Sequence, residues 1–261
     1  MTSTALADIK PGHRMGDWQL RRLLCQNCFG AVPSLQDLRK TAPAPNEFLT
    51  LSSALRVGLQ CAKALEDLHS IGYIHRDIKP CNFAIGRQEV GEQRKIYVLD
   101  FSVCKQIISL RTGDKLRDRY GFRGTLRYAS IKCHEGCEMS EKDDLEQWFY
   151  QQVELTKGRL PWRDFHDKDQ VGVCKKRCRD QDMGMKELLS GCPHEYIDIM
   201  QLIDSYGYYS TPDYSRLYQL LQQAMKWQRV RDDDHFDWEG KKGGNLNRRP
   251  RRHFHPVDDD N

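Results

Sequence analysis

Four polar residues in the middle of the chain have the types and spacing that phosphoryl transfer to a hydroxyl group requires. Asp77, Lys79 and Asn82 lie in the segment 75–82 (HRDIKPCN), and Asp100 follows in LDFS. This reaction needs a carboxylate to orient the hydroxyl and accept its proton, a cation beside the moving phosphate, and oxygen ligands for Mg²⁺. Asp77 fits the first role and Lys79 the second. Asn82 and Asp100 fit the metal roles, because amide and carboxylate oxygens are ligands that Mg²⁺ prefers.

A long helix is predicted directly before these residues. Between Thr50 and Gly72, apolar residues recur at steps of three or four, the period of a buried helical face. They are Leu51, Leu55, Leu59, Ala62, Leu65 and Leu68. Thr50 or Ser52 can cap the start of this helix, and Gly72 can end it in a left-handed conformation.

A short hairpin is predicted to carry the two metal ligands. Residues 83–85 and 96–99 read as strands, and the polar segment 87–94 reads as their connection. Asn82 and Asp100 stand at the ends of this hairpin, so their side chains can converge.

The later part of the chain is predicted to be mostly helical. A helix is expected over Ser140–Thr156, with Ser140 as N-cap and Asp143 as its capping-box partner, ending before Gly158. Shorter helices are expected at 185–189, 196–203 and 214–225. After Trp238 the composition is rich in Gly and charge and typical of a disordered tail.

Composition and charge exclude several classes of protein. The 41 Lys and Arg exceed the 37 Asp and Glu by only four, so bulk charge does not indicate a nucleic-acid-binding protein. No stretch approaches the ~20 apolar residues of a membrane span, and the first residues lack the apolar region of a signal peptide. We expect a monomeric, cytoplasmic protein, with nuclear import as a second reading of the basic run Arg248–Arg252.

The ten cysteines are predicted to be mostly free thiols. They fall well below the ~8–10% share that marks a disulfide scaffold. A structural zinc site needs four ligands in paired short spacings, and the chain's short cysteine pairs have no evident common centre. These pairs are Cys25/Cys28, Cys133/Cys137 and Cys174/Cys178. Cys81, beside Asn82, is a candidate for an accessible thiol of unusual reactivity.

The order of these motifs resembles the protein kinase superfamily. That superfamily has H-R-D, then Asn five residues beyond the Asp, and D-F-G downstream; here Asp77, Asn82 and Asp100 match. Further segments resemble the casein kinase I group and, within it, the tau-tubulin-kinase-like branch. They are Phe122–Ser130, Asp143–Glu146, Gly158–Trp162 and Asp237–Glu239.

The resemblance implies an α+β protein-kinase-like fold. Residues 33–239 correspond to a mainly helical C-terminal lobe, and residues 11–32 to a vestige of the small β lobe. Residues 1–10 and 240–261 are read as tails. The implied activity is transfer of the ATP γ-phosphate to Ser or Thr hydroxyls of protein substrates, with Mg²⁺.

The resemblance also implies roles for individual residues. Thr125 is expected to hydrogen-bond near Asp77 and Lys79, and Asp144 to brace the backbone of the catalytic loop. Arg123, Arg127 and Lys168 are expected to bind acidic or phosphorylated substrate side chains, since a forked guanidinium suits phosphate and carboxylate oxygens. Gly30, Val32, Asn82 and Asp100 are the expected nucleotide contacts.

Several features of the family's small lobe are missing. In the register of the glycine-rich loop, Cys25 and Asn27 replace two glycines, and only Gly30 remains. Three strands, one helix and their loops would need on the order of 45 residues. Only Pro33 and Ser34 precede the segment 35–40, which resembles the helix after the family's hinge.

Ser102 also departs from D-F-G, and a serine held at positive φ is expected to cost more than glycine. Two functions therefore stay open. One is an impaired serine/threonine kinase. The other is a pseudokinase or truncated isoform that binds acidic or phosphorylated partners as a scaffold.

Overall fold

The fold was taken from a computed structural model, which describes residues 32–41, 48–107 and 122–239, with the backbone of two short strands before them. The predicted tail at 240–261 and the glycine-loop residues, Gly30 included, lie outside the described residues. Within those ranges, no helix has the length and apolar character needed to cross a membrane.

Helices make up most of the described chain, and the strands are only two or three residues long. The helices are α1 (Leu35–Lys40), α2 (Leu51–Ser70), α3 (Ile131–His134), α4 (Glu141–Lys157), α5 (Lys168–Asp180), α6 (Asp182–Leu189), α7 (Glu195–Asp204) and α8 (Tyr214–Trp227). The strands are β1 (Arg14–Met15), β2 (Trp18–Gln19), β3 (Tyr73–Ile74), β4 (Phe83–Ile85), β5 (Ile96–Val98) and β6 (Lys105–Gln106). They pair as three antiparallel ribbons, β1 with β2, β3 with β6 and β4 with β5. This is the mainly helical architecture with a small β portion that the sequence predicted.

Helix α2 confirms the first helix prediction. Thr50 is its N-cap, with its side-chain oxygen accepting from the Ser53 backbone N–H. Gly72 has φ 80°, the left-handed conformation that ends the segment. The apolar face of α2 packs against α4 and α8, so the long helix is a central element of the core.

Helix α4 lies inside the molecule. Ser140 and Asp143 form the predicted capping box, and Gly158 ends the helix at φ 91°. Every residue from Asp143 to Thr156 is buried, including its acids and amides. Buried acids need hydrogen-bond partners, and those of α4 find them in the segments packed around the helix: Ser130 pairs with Asp143, His69 with Asp144, and Tyr128 with Glu154.

The hairpin β4–β5 is also confirmed. Phe83 pairs with Val98 and Ile85 with Ile96. Beyond the last pair, the Leu99 N–H donates to the Asn82 carbonyl at 2.7 Å. The ladder therefore brings the residues preceding Phe83 and following Val98 to one end of the hairpin.

The two residues that precede α1 pair directly with this hairpin. Ser34 bridges to Ala84, and the Ile85 N–H donates to the Pro33 carbonyl at 3.3 Å. Ser34 then caps α1 through a capping box with Asp37. Helix α1 therefore lies against strand β4, and a helix at 35–40 agrees with the resemblance of this segment to the helix after the family's hinge. Val32 itself packs against the core.

Two helices, α3 and α5, were not predicted from the sequence. Helix α5 is mostly charged, and its buried apolar positions are few: Val171, Cys174 and Cys178. Asp167 caps its start by accepting from the backbone N–H groups of Asp169 and Gln170. Cys174 and Cys178, one of the short-spaced cysteine pairs, are core residues on one face of this helix.

Candidate active site

The catalytic-loop residues are held by the buried carboxylate of Asp144 on α4. Its two oxygens accept the backbone N–H groups of His75 at 2.6 Å and Arg76 at 2.8 Å. This brace lets Arg76 hold φ 69°, a conformation uncommon for a non-glycine residue. The neighbouring Gln147 accepts the Ile78 N–H at 2.7 Å. The predicted bracing role of Asp144 therefore matches the geometry.

Two further side chains, His69 on α2 and Tyr214 on α8, form a chain of hydrogen bonds that ends at Asp144. His69 Nε2 lies 3.0 Å from Asp144 Oδ2, and the Tyr214 hydroxyl lies 2.6 Å from His69 Nδ1. Burial acts to raise the pKa of Asp144, but the bond to His69 and the charges and N–H groups around it outweigh burial and lower that pKa. The carboxylate that holds the loop is therefore ionised.

His75 ties the loop to the segment that carries Asp100. Its Nδ1 accepts the Asp77 N–H at 3.3 Å, so Nε2 carries the proton and donates to the Leu99 carbonyl at 3.0 Å. The ring also contacts Phe101, with centroids 5.4 Å apart. Burial lowers the pKa of His75, in agreement with a neutral ring.

Asp77, Lys79 and Thr125 form a closed ring of hydrogen bonds. The Thr125 hydroxyl donates to Asp77 Oδ1 at 2.7 Å and accepts from Lys79 Nζ at 3.0 Å, while Lys79 Nζ donates to Asp77 Oδ2 at 2.5 Å. Burial acts to lower the pKa of Lys79, but the hydrogen bond and charge of Asp77 prevail and raise it. The structure thus brings together a carboxylate and a cation that are fixed in position, as predicted.

Asn82 and Asp100 supply oxygen atoms beside this ring. The Asn82 amide nitrogen donates to the Asp77 carbonyl at 2.8 Å, which fixes the orientation of the amide group. Asp100 is exposed, and hydrogen bonds from Ser102 lower its pKa. One amide oxygen and one ionised carboxylate are a donor set that fits Mg²⁺, which takes few protein ligands and keeps others from water or phosphates.

The expectation about Ser102 is wrong. The positive φ in this turn belongs to Asp100, at 60°, and Ser102 is not among the non-glycine residues with positive φ. Aspartate tolerates the left-handed region because its short side chain bonds locally, and here Asp100 Oδ1 accepts the Ser102 N–H at 3.2 Å. Serine therefore bears no φ strain at this position.

The three predicted substrate-binding residues lie around the segment 122–130. Arg123 is exposed, and Arg127 is 34% exposed with its Nη1 3.3 Å from Glu154 Oε1. The Lys168 ammonium lies 5.8 Å from the centre of the Phe122 ring, next to Arg123. Arg123 and Arg127 therefore belong to the segment that also carries Thr125, and Lys168 lies close to that segment's first residue.

Glu154 is a site residue that sequence reasoning missed. It is fully buried on α4. Its carboxylate forms ion pairs with Arg39, whose Nη1 lies 2.7 Å away, and with Arg127, and it accepts a hydrogen bond from the Tyr128 hydroxyl. Arg39 is only 1% exposed, although it lies on the short helix α1. The one signal in the sequence was an acid between two apolar residues, Val153 and Leu155, which does not reveal its partners.

Gly124 allows this segment to approach the catalytic loop. It has φ 101°, and an added Cβ would lie 2.6 Å from the Arg76 carbonyl oxygen. That contact is backbone, so a substitution must displace one of the two segments.

We expect Gly124→Ala to destabilise the protein by about 2–3 kcal/mol through backbone strain and this contact. Gly136 is a matched control, since it has φ 70° but open space where a Cβ would lie; Gly136→Ala should cost about 1 kcal/mol, from the left-handed backbone alone. Urea unfolding measures both. Equal costs for the two variants would show that the close approach at Gly124 has no energetic importance.

Other candidate chemistry finds little support. Cys81 is exposed, but partial burial raises the pKa of its thiol, whereas a reactive cysteine needs a lowered one. Among the described residues, no group of three or more His, Cys, Asp or Glu could hold a metal ion. Cys25 and Cys28 fall outside those residues.

Comparison with known proteins agrees with the arrangement of these groups. The family model of protein tyrosine and serine/threonine kinases matches residues 18–221. The chain is 36% identical over 192 residues to a Dictyostelium discoideum protein named as a probable serine/threonine-protein kinase, covering 73% of this chain and 37% of that protein. It is 33% identical over 216 residues to the serine/threonine-protein kinase spe-6 of Caenorhabditis elegans, covering 80% and 55%.

A casein kinase I relative aligns over more of the chain. Casein kinase I homolog 2 of Saccharomyces cerevisiae is 29% identical over 251 residues, covering 91% of this chain and 44% of the yeast protein. The chain spans about half or less of the length of these relatives. By its matched family model, its casein kinase I relatives and its assembled catalytic loop, the chain belongs to the protein kinase family.

Proposed function

We propose that the chain is a serine/threonine kinase of the casein kinase I group, close to its tau-tubulin-kinase-like branch, with a truncated small lobe. It transfers the ATP γ-phosphate to Ser or Thr hydroxyls of protein substrates at a reduced rate. The observation that carries this proposal is the closed ring of Asp77, Lys79 and Thr125. A carboxylate held at both oxygens is aligned to accept a hydroxyl proton without reorganisation.

Each site residue has a defined task in this proposal. Asp77 orients the substrate hydroxyl and accepts its proton, and Lys79 offsets negative charge beside it. Asn82 and Asp100 would hold Mg²⁺, which when bound neutralises charge on the phosphate oxygens. Thr125 fixes the carboxylate and the ammonium group relative to each other.

The reduced rate is expected because the segment between Val32 and α1 is too short to form most of the family's small lobe. Pro33 and Ser34 are tied to the hairpin, and no counterpart of the family's small-lobe lysine is found in the sequence. A nucleotide-binding site in this chain would therefore lack most of the small-lobe surface that covers the nucleotide, and it would lack the lysine that orients the nucleotide. Gly30 and Val32 are the remaining proposed nucleotide contacts.

A second function is a binding scaffold for acidic or phosphorylated partners. It is favoured by Arg127, which Glu154 already holds in place, because a pre-positioned arginine loses less entropy on binding. Arg123 and Lys168 would extend the same basic surface. A monomeric cytoplasmic or nuclear protein would suit either function.

Asp77→Asn is the variant that separates the two functions. We expect the unmodified chain to bind Mg·ATP in a thermal-shift assay and to phosphorylate an acidic peptide slowly. Asp77→Asn should lower turnover by about 10²–10⁴-fold, the usual contribution of a general base. Asp164→Asn, at an exposed site, should leave turnover unchanged.

The same experiment has an outcome that favours the scaffold. If neither protein binds nucleotide, while a phosphopeptide binds and its affinity drops in Arg127→Ala, the enzymatic proposal is wrong. Turnover that survives Asp77→Asn would point to a contaminating kinase and would likewise contradict it.

A further inference from the structure

A buried lysine lies directly beneath the segment that carries Thr125 and Arg127. Lys175 on α5 has 0% of its surface exposed. No ion pair is formed by its ammonium group within the described ranges. Burying a charged ammonium group costs free energy unless hydrogen bonds replace its hydration. Lys175 is therefore expected to form hydrogen bonds inside the protein.

Each N–H of the ammonium group has one acceptor. Lys175 Nζ donates to the Ala129 carbonyl at 2.6 Å and the Leu126 carbonyl at 3.1 Å, and it lies 3.1 Å from His134 Nε2. An ammonium group has three donors and no acceptor. His134 can accept because it is neutral, since burial and the charge of Lys175 lower its pKa to about 4.

Two aromatic rings complete the surroundings of this nitrogen. The centre of the Tyr150 ring lies 4.9 Å away and that of the Trp162 ring 5.2 Å away, within the range of cation–π attraction. Trp162 Nε1 also donates to the Arg127 carbonyl at 2.7 Å. The lysine and the ring against it therefore bind three carbonyls of one short segment, those of residues 126, 127 and 129.

We propose that Lys175 is a positioning residue whose ammonium group holds Leu126–Ala129 in the conformation that presents Thr125 and Arg127 to a substrate, and that loss of its proton loosens this segment. The statement that this segment presents residues to a substrate rests on the proposed function. The statement that Lys175 fixes the conformation of Leu126–Ala129 does not depend on it. A neutral amine has two donors and a lone pair, so it cannot serve three acceptors at once.

Lys175 loses its proton within the physiological pH range. Burial lowers the pKa of Lys175 to about 7. Glu146 is the carboxylate that opposes this shift, and it already accepts from the Tyr150 hydroxyl and the Ile131 N–H. The groups facing Lys175 are His134 and Cys133 on α3, Glu146 and Tyr150 on α4, and Cys174 and Arg179 on α5.

The test uses the full chain labelled with 5-fluorotryptophan, which gives signals for five tryptophans. Trp162→Phe identifies the Trp162 signal. In the unmodified chain we expect this signal to move between pH 6 and 9 with a midpoint near the pKa of Lys175, about 7. Lys175→Met should abolish that titration. Lys176→Met is the matched control, because Lys176 is an exposed neighbour paired with Glu135, and it should keep the titration.

Binding of an acidic peptide that contains no phosphate gives the second readout. At pH 6.5 we expect Lys175→Met to weaken the affinity about tenfold and Lys176→Met to change it much less. A Trp162 signal in the unmodified chain that is flat from pH 6 to 9 overturns the inference, and this holds even if Lys175→Met fails to fold. Equal peptide affinity in Lys175→Met and the unmodified chain also overturns it. A chain that shows the titration but binds no acidic peptide contradicts the proposed substrate surface and supports the hold on the segment.

Discussion

Asp144→Ala is expected to destabilise the protein by about 3–5 kcal/mol, because it leaves several buried groups without their acceptor. Asp144 is 0% exposed and accepts two backbone N–H groups of the catalytic loop, those of His75 and Arg76, together with His69. The loss should appear as a lower midpoint in urea unfolding. Asp144→Asn should cost less, since its amide oxygen still accepts one of these bonds.

The pH dependence of this effect provides an internal check. The pKa of Asp144 is lowered in the folded protein, so its stabilising contribution is present above the unfolded pKa of about 3.9. The stability difference between the unmodified chain and Asp144→Ala should therefore shrink as pH falls below about 4. Asp164→Ala, at an exposed site, should change stability by less than about 1 kcal/mol. A similar loss in both variants would show that Asp144 has no special bracing role.

Glu154→Gln is expected to cost about 3–5 kcal/mol, since it leaves the buried guanidinium of Arg39 without its partner carboxylate. The two groups are 2.7 Å apart and exposed by 1% and 0%. Arg39→Met alone should cost less, because Glu154 keeps Arg127 and Tyr128 as partners. In the double variant Arg39→Met with Glu154→Gln, both members of the ion pair are removed together, and the total loss should be smaller than the sum of the single losses.

Urea unfolding of the four proteins in this cycle measures the coupling between Arg39 and Glu154. Lys105 and Glu138 form a comparison pair that is partly exposed, with a separation of 3.2 Å. We expect a much smaller coupling there, because solvent screens partly exposed charges. Additive losses for Arg39 and Glu154 would contradict the assigned buried ion pair.

Both predictions concern carboxylates on α4, because this helix contacts the two segments that carry the candidate site residues. The buried helix holds residues 75 and 76 through Asp144, and it holds Arg127 and Tyr128 of the segment 122–130 through Glu154. Helix α1 contributes Arg39 as a partner of Glu154, and helix α2 contributes His69 as a partner of Asp144. Lys175 on α5 binds the carbonyls of residues 126 and 129 directly. Within the described residues, the loop and the segment are therefore held by side chains from four helices that lie far apart in the sequence.

The sequence by itself predicted the elements whose signals are local. The apolar period of α2, the capping box of α4 and the short strands β4 and β5 each depend on residues close together in the chain. The spacing of Asp77, Asn82 and Asp100 likewise indicated phosphoryl-transfer chemistry. Helix α5 was missed because its core contacts occupy only one narrow face and most of its residues are charged.

Only the tertiary structure decided which distant residues complete the site. Nothing near Glu154 in the sequence indicates Arg39, and nothing near Lys175 indicates the carbonyls of residues 126 and 129. In a buried environment a polar group must find a partner wherever the fold brings one, so these pairs are set by packing and not by sequence distance. The turn at Asp100 shows the same limit, since the motif alone placed the strain at Ser102, while the backbone placed the positive φ at the aspartate.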